Sequence, residues 1–360
     1  MQLYAFGSNG SGQLGIGSTN DVSTPQLCLF PDDTELPSRP LKIVAGGNHT
    51  LLLLDDGTVY YAGSPRDGQV DPGSPLPSNS TFRKAYISIL GDKVVNCSAF
   101  WEGSVFVNAE NQVFTAGLGS KGERGIGGVS ASLGLQMLEN FPSTHSQDLS
   151  TIADVAGGVD HTVVVLADGN AWGWGNGRKG QLGQPEEFVW VPRRFRNLEF
   201  PVIRAVCGRE FTLLIGNGGS CTILGSNKHA IKSQTPSAIP EWADVSASWG
   251  SLFVLKSSGR IESWGRDDHG QLTPPGLPEV RQIAAGSEHV VALTKDNKVI
   301  SWGWGEHGNC GSNTDGNGDV KGNWNEVSFN QAKCHQEVLG IGAGCATSFL
   351  WTETSEIEKA

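Results

Sequence analysis

The sequence lacks long apolar runs, basic clusters and a cysteine pattern, and each absence excludes a class of protein. No segment approaches the roughly 20 apolar residues that a membrane-spanning helix needs. The formal net charge is −11, with 26 Lys and Arg against 37 Asp and Glu, which argues against binding of nucleic acid through phosphate neutralisation. Seven scattered cysteines argue against a disulfide framework. The first residues enter a strand directly, so we expect no signal peptide.

What the sequence does contain is a recurring hairpin, clearest in the stretch 282–311. An apolar strand, His289–Thr294, is followed by the turn residues Asp296-Asn297, and Asn tolerates positive φ. A second strand, 298–302, is ended by Gly303. The stretch has no 3.6-residue period, so a helix is not expected. We interpret it as two short strands and three turns.

This hairpin is repeated with one fixed spacing between the start of its opening strand and the glycine that ends its closing strand. The six complete copies start and end at His49 and Gly63, Gly103 and Gly117, His161 and Gly175, Phe211 and Gly225, Ser251 and Gly265, and His289 and Gly303. The ends of the chain supply two halves of a seventh. Residues 342–354 contain an opening strand that starts at Thr347, and LYAFG near the N-terminus is a closing strand that ends at Gly7.

The two terminal halves form one hairpin only if the chain closes into a ring. Opening strands recur about every 50 residues, and hairpin repeats of this period are typical of propellers. A closed ring also leaves no exposed sheet edge at its ends. We therefore predict an all-β, seven-bladed β-propeller over residues 1–352, with N- and C-terminal strands in one blade, and a short charged tail over 353–360.

The connectors between hairpins differ in length. The long ones are 8–42, 64–94, 119–153 and 312–338. The segment 133–141 fits a helical turn or a strand, and the sequence leaves this open. Short connectors after Gly225 and Gly265 leave little room for outer elements in blades four to six. The connector 312–338 is polar and rich in Gly and Asn, so we expect a loop.

The repeat pattern resembles a known family. It resembles the regulator-of-chromosome-condensation repeat. In chain order it consists of a Gly-x-x-His turn, an apolar strand, Asp-Gly, a second strand, Trp-Gly and a Gly-Gln-Leu-Gly turn. The residues that carry the pattern are Gly46–Thr50 with Asp56-Gly57, Gly158–Thr162 with Asp168-Gly169, and Trp174–Gly183. The resemblance covers nearly the whole chain and implies the same propeller.

Three stretches are similar to one branch, the fungal alpha-tubulin suppressor proteins: Tyr4–Gln26, Ser301–Gly311 and Gly342–Trp351. The middle one is the most specific, because Glu-His-Gly-Asn-Cys is outside the general repeat. The resemblance implies a heterodimer with a small CSL-type zinc-finger protein that donates electrons in diphthamide synthesis. It also implies a role in Elongator-dependent modification of the tRNA wobble uridine.

On this view, zinc or iron belongs to the partner and this chain holds no cofactor. Contacts with Elongator and the diphthamide enzymes are indirect, and neither nucleic acid nor a membrane is bound directly. We expect a cytoplasmic location and leave the nucleus open.

Two glycine-rich motifs and three histidines have structural interpretations. Gly175–Gly180 and Gly303–Gly308 match G-x-G-x-x-G, but neither opens the helix that a dinucleotide site needs, so both indicate blade turns. His49, His161 and His289 share one repeat position, and this recurrence favours a structural hydrogen bond over a single catalytic base. Because His289 adjoins the unusual loop, contact with a partner stays open for it.

His307, Cys310, Cys334 and His335 are residue types that bind zinc. The stretch between the two pairs is a long Gly- and Asn-rich loop, and Cys334 and His335 are adjacent, whereas zinc motifs leave residues between ligands. We therefore expect no metal on this chain.

The tryptophans divide into two groups. Trp174, Trp264 and Trp302 directly precede a strand-ending glycine, so we expect them in the blade core. Trp101 and Trp249 lie in the turn before an opening strand. Trp is enriched at interaction hot spots, and partner contact and local packing are equally open for these two.

The residue before each opening strand is often acidic. These residues are Asn48, Glu102, Asp160, Glu210, Gly250, Glu288 and Ala346, and four of the seven are acidic. In a propeller they converge on one face. Its negative potential favours a cationic or metal-bearing partner, unless these residues form only a solvated polar rim.

No nucleophile elbow, P-loop or carboxylate pair is found, so we predict a non-enzymatic scaffold. The predicted partner-binding residues are Trp101, Glu102, Trp249, Glu288, His289, Trp304, Glu306, His307 and Cys310. The second hypothesis is a guanine-nucleotide exchange factor for a Ran-type small GTPase. The missing basic N-terminal tail argues against this hypothesis. A light sensor is the third, but the Gly-Trp-Arg-His-Thr repeat of the plant UV-B receptor is missing.

Overall fold

The computed structural model describes residues 1–30, 36–64, 79–85, 93–130, 134–139, 141, 151–329 and 337–353. Within them the chain forms seven small antiparallel sheets in a ring, so the predicted seven-bladed propeller is confirmed. The innermost strand of each blade packs against those of both neighbouring blades, all the way round. Helical structure in these ranges is a short pair, Lys228–Ala230 and Ile231–Gln234. None of it has the length or apolar character to span a bilayer.

The strands of each blade are counted outward from the axis of the propeller. The innermost strands of blades 1 to 7 are Pro40–Ala45, Val94–Phe100, Ile152–Gly157, Arg204–Cys207, Trp242–Ala247, Val280–Ala285 and Val338–Ala343. The second strands are His49–Leu54, Gly103–Asn108, His161–Leu166, Phe211–Ile215, Ser251–Lys256, His289–Thr294 and Thr347–Thr352. The third strands are Val59–Gly63, Val113–Gly117, Ala171–Asn176, Cys221–Gly225, Ile261–Gly265, Val299–Trp304 and Gln2–Gly7. Outermost strands complete blades 1, 2, 3, 6 and 7: Asn79–Lys84, Gln136–Met137, Phe188–Arg194, Asp319–Glu326 and Val22–Leu27.

The predicted hairpins are the second and third strands, and their register is the predicted one. In each blade the first residue of the second strand pairs with the repeat glycine at or one residue before the end of the third strand, as His289 does with Gly303. Thr347 pairs with Gly7 and so joins the two ends of the chain. The closing blade takes its inner strands from the C-terminal part and its outer strands from the N-terminal part. The tail 354–360 lies outside the described residues and stays a prediction.

Geometry explains why glycine marks each repeat. Gly303 has φ +103°, and a Cβ there would lie 2.7 Å from the carbonyl oxygen of Glu288. That same oxygen accepts a hydrogen bond from the backbone N–H of Trp304 at 2.9 Å. Gly7 repeats the arrangement, with φ +116° and a clash at 2.3 Å with the oxygen of Ala346. A side chain is therefore excluded where the third strand meets the turn.

The hairpin interpretation missed the innermost strand of every blade and the outermost strands of blades 1, 2, 3, 6 and 7. The stretch 282–311 begins inside the strand Val280–Ala285, which the interpretation as two strands and three turns did not include. The connector 312–338, expected to be a loop, contains Asp319–Glu326, which completes blade 6. The segment left open between helix and strand contains the two-residue strand Gln136–Met137. Blades 4 and 5 have three strands, as their short connectors predicted, but blade 6 has four.

Buried side chains fill the wedges between blades and link them. Trp174 and Trp302 are fully buried. Their indole N–H groups donate to backbone carbonyls of the preceding blade, at Glu123 (2.8 Å) and Gln271 (2.9 Å). These bonds satisfy the one polar group that a buried indole carries. The predicted core position is confirmed for both, whereas Trp264 is only half-buried.

Candidate partner-binding face

The innermost strands enclose an axial channel with a volume of about 760 Å³. The turns between innermost and second strands surround one of its mouths. We call this end of the propeller the upper face, and its turns are 46–48, 101–102, 158–160, 208–210, 248–250, 286–288 and 344–346. The loops that follow the third strands lie at the same end.

Backbone hydrogen bonds fix neighbouring turns of the upper face to one another. They run from the N–H groups of Gly47, Trp101, Arg209, Trp249 and Ser287 to the carbonyls of Trp101, Val159, Trp249, Ser287 and Gly344, at 2.8–3.0 Å. Because the turns are held in this way, the side chains that they carry form a rigid surface.

Trp101 and Trp249 meet over the channel mouth. Their ring centroids are 5.5 Å apart and the ring planes are inclined by 58°. Trp101 is 36% exposed, Trp249 is half-buried, and Glu102 beside Trp101 is exposed. The guanidinium of Arg209 lies 5.7 Å from the Trp249 ring centroid, within cation–π range. Exposed aromatic pairs of this kind are suited to anchoring a protein partner.

The loop after the third strand of blade 6 adjoins this surface. Trp304 is tied to the turn of Glu288 through its backbone N–H. Its ring lies edge-on to that of His307, with centroids 5.2 Å apart. His307 Nδ1 is 2.7 Å from Oδ2 of Asp21 in the closing blade, and Glu306 is exposed. The structure therefore brings Trp304, Glu306 and His307 together next to Glu288, as the sequence predicted.

The motif that we took as outside the general repeat is in fact the repeat's ordinary turn. The Gly311 N–H bonds to the Gly308 carbonyl at 2.9 Å, as Gly15 does to Gly12 at 3.0 Å in the Gly-Gln-Leu-Gly turn. Cys310 takes the place of the leucine and has no exposed surface. Burial raises the pKa of its thiol well above the ordinary value. The assignment of the Cys310 side chain to the partner surface is therefore wrong, because it packs in the blade core.

His289 links blade 6 to the closing blade. Its ring is fully buried, and Nε2 lies 2.9 Å from the hydroxyl of Ser348. That hydroxyl donates to the carbonyl of Asn309 at 2.8 Å, so it accepts from His289 and the proton sits on Nε2. Desolvation lowers the pKa of His289 to about 4, which keeps the ring neutral. Its placement on a partner surface is wrong, because the side chain is inside the wedge.

The other two histidines of this repeat position make the same link. His49 reaches Ser104 at 3.1 Å, and His161 reaches Thr212 at 2.9 Å, each in the next blade. Desolvation lowers both pKa values to about 4. A Cβ on Gly46 would lie 2.3 Å from the His49 ring, which explains the Gly-x-x-His spacing. The structural role is confirmed, but the bond joins blades and does not only hold a turn.

The acidic turn residues do not form a uniformly negative rim. Glu288 is 6% exposed, and Arg266 and Gln271 bind its carboxylate at 2.5 and 2.9 Å. Asp160 is paired with Lys121 at 2.9 Å. Basic residues from the following loops therefore neutralise part of the negative potential that we expected at this face.

A metal or dinucleotide site is not formed by the residues described. Within the described ranges, no group of three or more His, Cys, Asp or Glu could hold an ion. Cys334 and His335 lie outside those ranges, so for them the expectation stays a prediction. Gly175–Gly180 and Gly303–Gly308 lie at strand ends and turns with no helix after them, as predicted.

Comparison with known proteins identifies the family. A family model described as RCC1-like domain matches residues 2–350. The chain belongs to the RCC1-like domain family. This confirms the resemblance inferred from the repeat.

Individual proteins of the same family are also similar to this RCC1-like propeller. The RCC1 repeat-containing protein C10F6.04 of Schizosaccharomyces pombe is 33% identical over 284 residues, covering 75% of this chain and 78% of that protein. The secretion-regulating guanine nucleotide exchange factor of Bos taurus is 27% identical over 296 residues, covering 75% and 61%. The crystal structure of Prp20p from Saccharomyces cerevisiae has a TM-score of 0.83 at 20% identity, covering 99% of this chain and 92% of the other. That likeness shows the fold alone.

Sequence reasoning missed three charged residues of the RCC1-like propeller's upper face: Asp21, Arg209 and Arg266. A signal existed for Arg266, which directly follows the repeat glycine Gly265 and so has the register of Trp304. Arg209 lies in the turn just before Glu210. Nothing in the sequence pairs Asp21 with His307, because the two are at opposite ends of the chain.

Proposed function

We propose that this RCC1-like propeller is a non-enzymatic scaffold that forms a heterodimer with a small CSL-type zinc-finger protein, an electron carrier. In this role it supports diphthamide synthesis on elongation factor and Elongator-dependent modification of the tRNA wobble uridine. The supporting observation is that the upper face carries two aromatic pairs, Trp101 with Trp249 and Trp304 with His307. The identity of the partner rests on the three segments that resemble the alpha-tubulin suppressor proteins.

The surface is suited to docking because its parts are already ordered. Backbone bonds between turns remove most of the loop-ordering cost of association, and the Trp101–Trp249 pair supplies apolar area at the centre. Glu102 and Glu306 add a polar edge, as interfaces of this kind have. In the heterodimer the zinc or iron belongs to the partner, and this chain orients the partner's metal site.

A pull-down from cytosol tests the proposal. Wild-type chain is compared with a Trp101→Ala/Trp249→Ala variant, a Trp304→Ala/His307→Ala variant and the control Trp190→Ala on the outermost strand of blade 3. We expect wild type and control to recover a small zinc-finger protein and both double variants to lose it. Recovery by all four would keep the partner and refute the surface, and failure of wild type to recover it would refute the partner.

The second candidate is guanine-nucleotide exchange on a Ran-type small GTPase. The 27% identity to a secretion-regulating guanine nucleotide exchange factor favours it. Release of a fluorescent GDP analogue from the purified GTPase tests it directly. A marked, concentration-dependent acceleration by this chain would support exchange activity, and an unchanged release rate would exclude it for that GTPase.

A further inference from the structure

A second cavity of about 200 Å³ opens on the upper face between blades 4 and 5. It adjoins Trp249, which is shared with the channel mouth. Its apolar wall is made by Phe211, Ile231 and Trp249. Its charged lining is made by Arg209, Glu210, Lys228, His229, Arg266 and Glu288.

The basic side chains of this cavity differ in whether they are paired. Arg266 and Glu288 bind each other at 2.5 Å, and Arg266 is also bonded twice to Asp268. By contrast, the side chains of Arg209 and Lys228 make no ion pair with any residue that the structure describes. Arg209 and Lys228 are therefore two cationic groups of the lining without an acidic partner among the described residues.

Arg209 and Lys228 line the same cavity. Both are exposed, and the Arg209 guanidinium is held over the Trp249 ring at 5.7 Å. Glu210, also in the lining, makes no ion pair within the described ranges. The lining thus contains one guanidinium, one ammonium group and one carboxylate that form no ion pair with the residues described.

The loop that carries Lys228 has an unusual backbone. His229 and Ala230 follow each other at φ +58° and +59°, a left-handed conformation that residues with a Cβ rarely adopt. Asn227 holds the loop by accepting the Ser233 N–H at 3.0 Å. This conformation presents Lys228 and His229 to solvent at the cavity. Strain of this type concentrates at ligand-binding sites.

We propose that the cavity binds an acidic side chain of a protein partner, Glu or Asp next to an apolar residue. The carboxylate lies between Arg209 and Lys228, because a guanidinium fork binds carboxylates in a bidentate manner. The apolar neighbour packs on the Trp249 ring, so the contact continues the aromatic surface. The inference rests on the proposed docking role of the upper face but not on the identity of the partner.

Fluorescence anisotropy with the full chain tests the inference. Three fluorescein-labelled nonapeptides share one sequence with Leu at its centre, flanked by Glu, by Gln or by phosphoserine. We expect the Glu peptide to bind about ten-fold more tightly than the Gln peptide, since two charge-assisted hydrogen bonds are gained. Arg209→Gln/Lys228→Gln should abolish this difference. Lys232→Gln, a basic residue of the adjacent helix outside the lining, is the matched control and should keep it.

Several outcomes would overturn the inference: equal affinity for the Glu and Gln peptides, no saturable binding of the Glu peptide, or equal loss in the control variant. Binding of the phosphoserine peptide alone would also overturn it, since the ligand would then be a phosphate. The pull-down separates the two proposals. If the zinc-finger protein is not recovered while the peptide selectivity holds, the partner is wrong and the acidic-side-chain pocket remains.

Discussion

The indole ring of Trp101 packs against that of Trp249 across the channel mouth, with centroids 5.5 Å apart. The two residues belong to blades 2 and 5, which is the greatest separation in a ring of seven. The contact forms because the innermost strands converge on the axis and their turns lean over it. It covers part of one end of the channel and creates an aromatic surface that no single blade could offer.

The tryptophan pair should contribute strongly to binding and weakly to folding. For Trp101→Ala/Trp249→Ala we expect a loss of about 2 kcal/mol or more in binding free energy of the recovered partner, as central aromatic anchors show. Because Trp101 is 36% exposed, the free energy of unfolding should fall by about 1–2 kcal/mol. Calorimetric titration measures the binding free energy, and urea unfolding measures the free energy of unfolding. Unchanged affinity would refute the anchor role.

The His289–Ser348 bond between blades should stabilise the ring closure. We expect His289→Ala to lower the free energy of unfolding by about 2–4 kcal/mol, because it leaves a cavity and an unpaired hydroxyl. A double-mutant cycle with Ser348→Ala should give a coupling of about 1 kcal/mol. His229→Ala, at an exposed histidine, is the control and should change little. A coupling near zero would contradict the inter-blade role.

Stability should fall as the pH drops from about 6.5 to about 4. Burial lowers the pKa values of His49, His161 and His289 to about 4, against 6.5 for an ordinary histidine. In this window the unfolded state binds more protons, so stability is fully present above pH 6.5 and is lost below it. Each histidine should contribute a slope of up to about 1.4 kcal/mol per pH unit.

Urea unfolding at a series of pH values measures this slope. His161→Gln should reduce the slope of unfolding free energy against pH by up to the contribution of one histidine, about 1.4 kcal/mol per pH unit. The variant should also be less stable than wild type at every pH. A slope equal to that of wild type would show that His161 is not buried as a neutral ring.

Arg266 should be needed to keep Glu288 in its buried position. Glu288 is 6% exposed, and among the described residues the Gln271 amide alone would still bind its carboxylate without the guanidinium. We expect Arg266→Ala to cost about 2–4 kcal/mol of unfolding free energy. Arg266→Ala/Glu288→Gln should recover part of this, because the buried charge is gone. Equal destabilisation of the single and double variants would contradict the pairing.

Cys310 should resist alkylation in the folded protein. Its thiol has no exposed surface, and burial raises its pKa, so both access and thiolate are lacking. Iodoacetamide at pH 8, followed by peptide mass spectrometry, should modify Cys310 only after unfolding in urea. Rapid labelling of the native chain would show that the loop 304–311 opens.

The sequence by itself determined the number of blades, the register of every central hairpin and the closure by both termini. It could do so because the constraint is local: the strand-ending glycine faces a backbone oxygen, as Gly303 faces that of Glu288. A local constraint of this kind requires glycine at the same position of each repeat. The structural role of His49 and His161 was predictable for the same reason.

Only the tertiary structure decided which predicted residues are exposed and which charges meet. The innermost strands, such as Val280–Ala285, lie outside the fixed spacing of the hairpins and pack against those of the neighbouring blades, so the hairpin pattern did not predict them. Several features depend on how far the blades lie from the axis and how each blade is rotated. They are the burial of His289 and Cys310, the pairing of His307 with Asp21 and the contact of Trp101 with Trp249. Repeat spacing does not encode these quantities, because they result from the packing of all seven blades together.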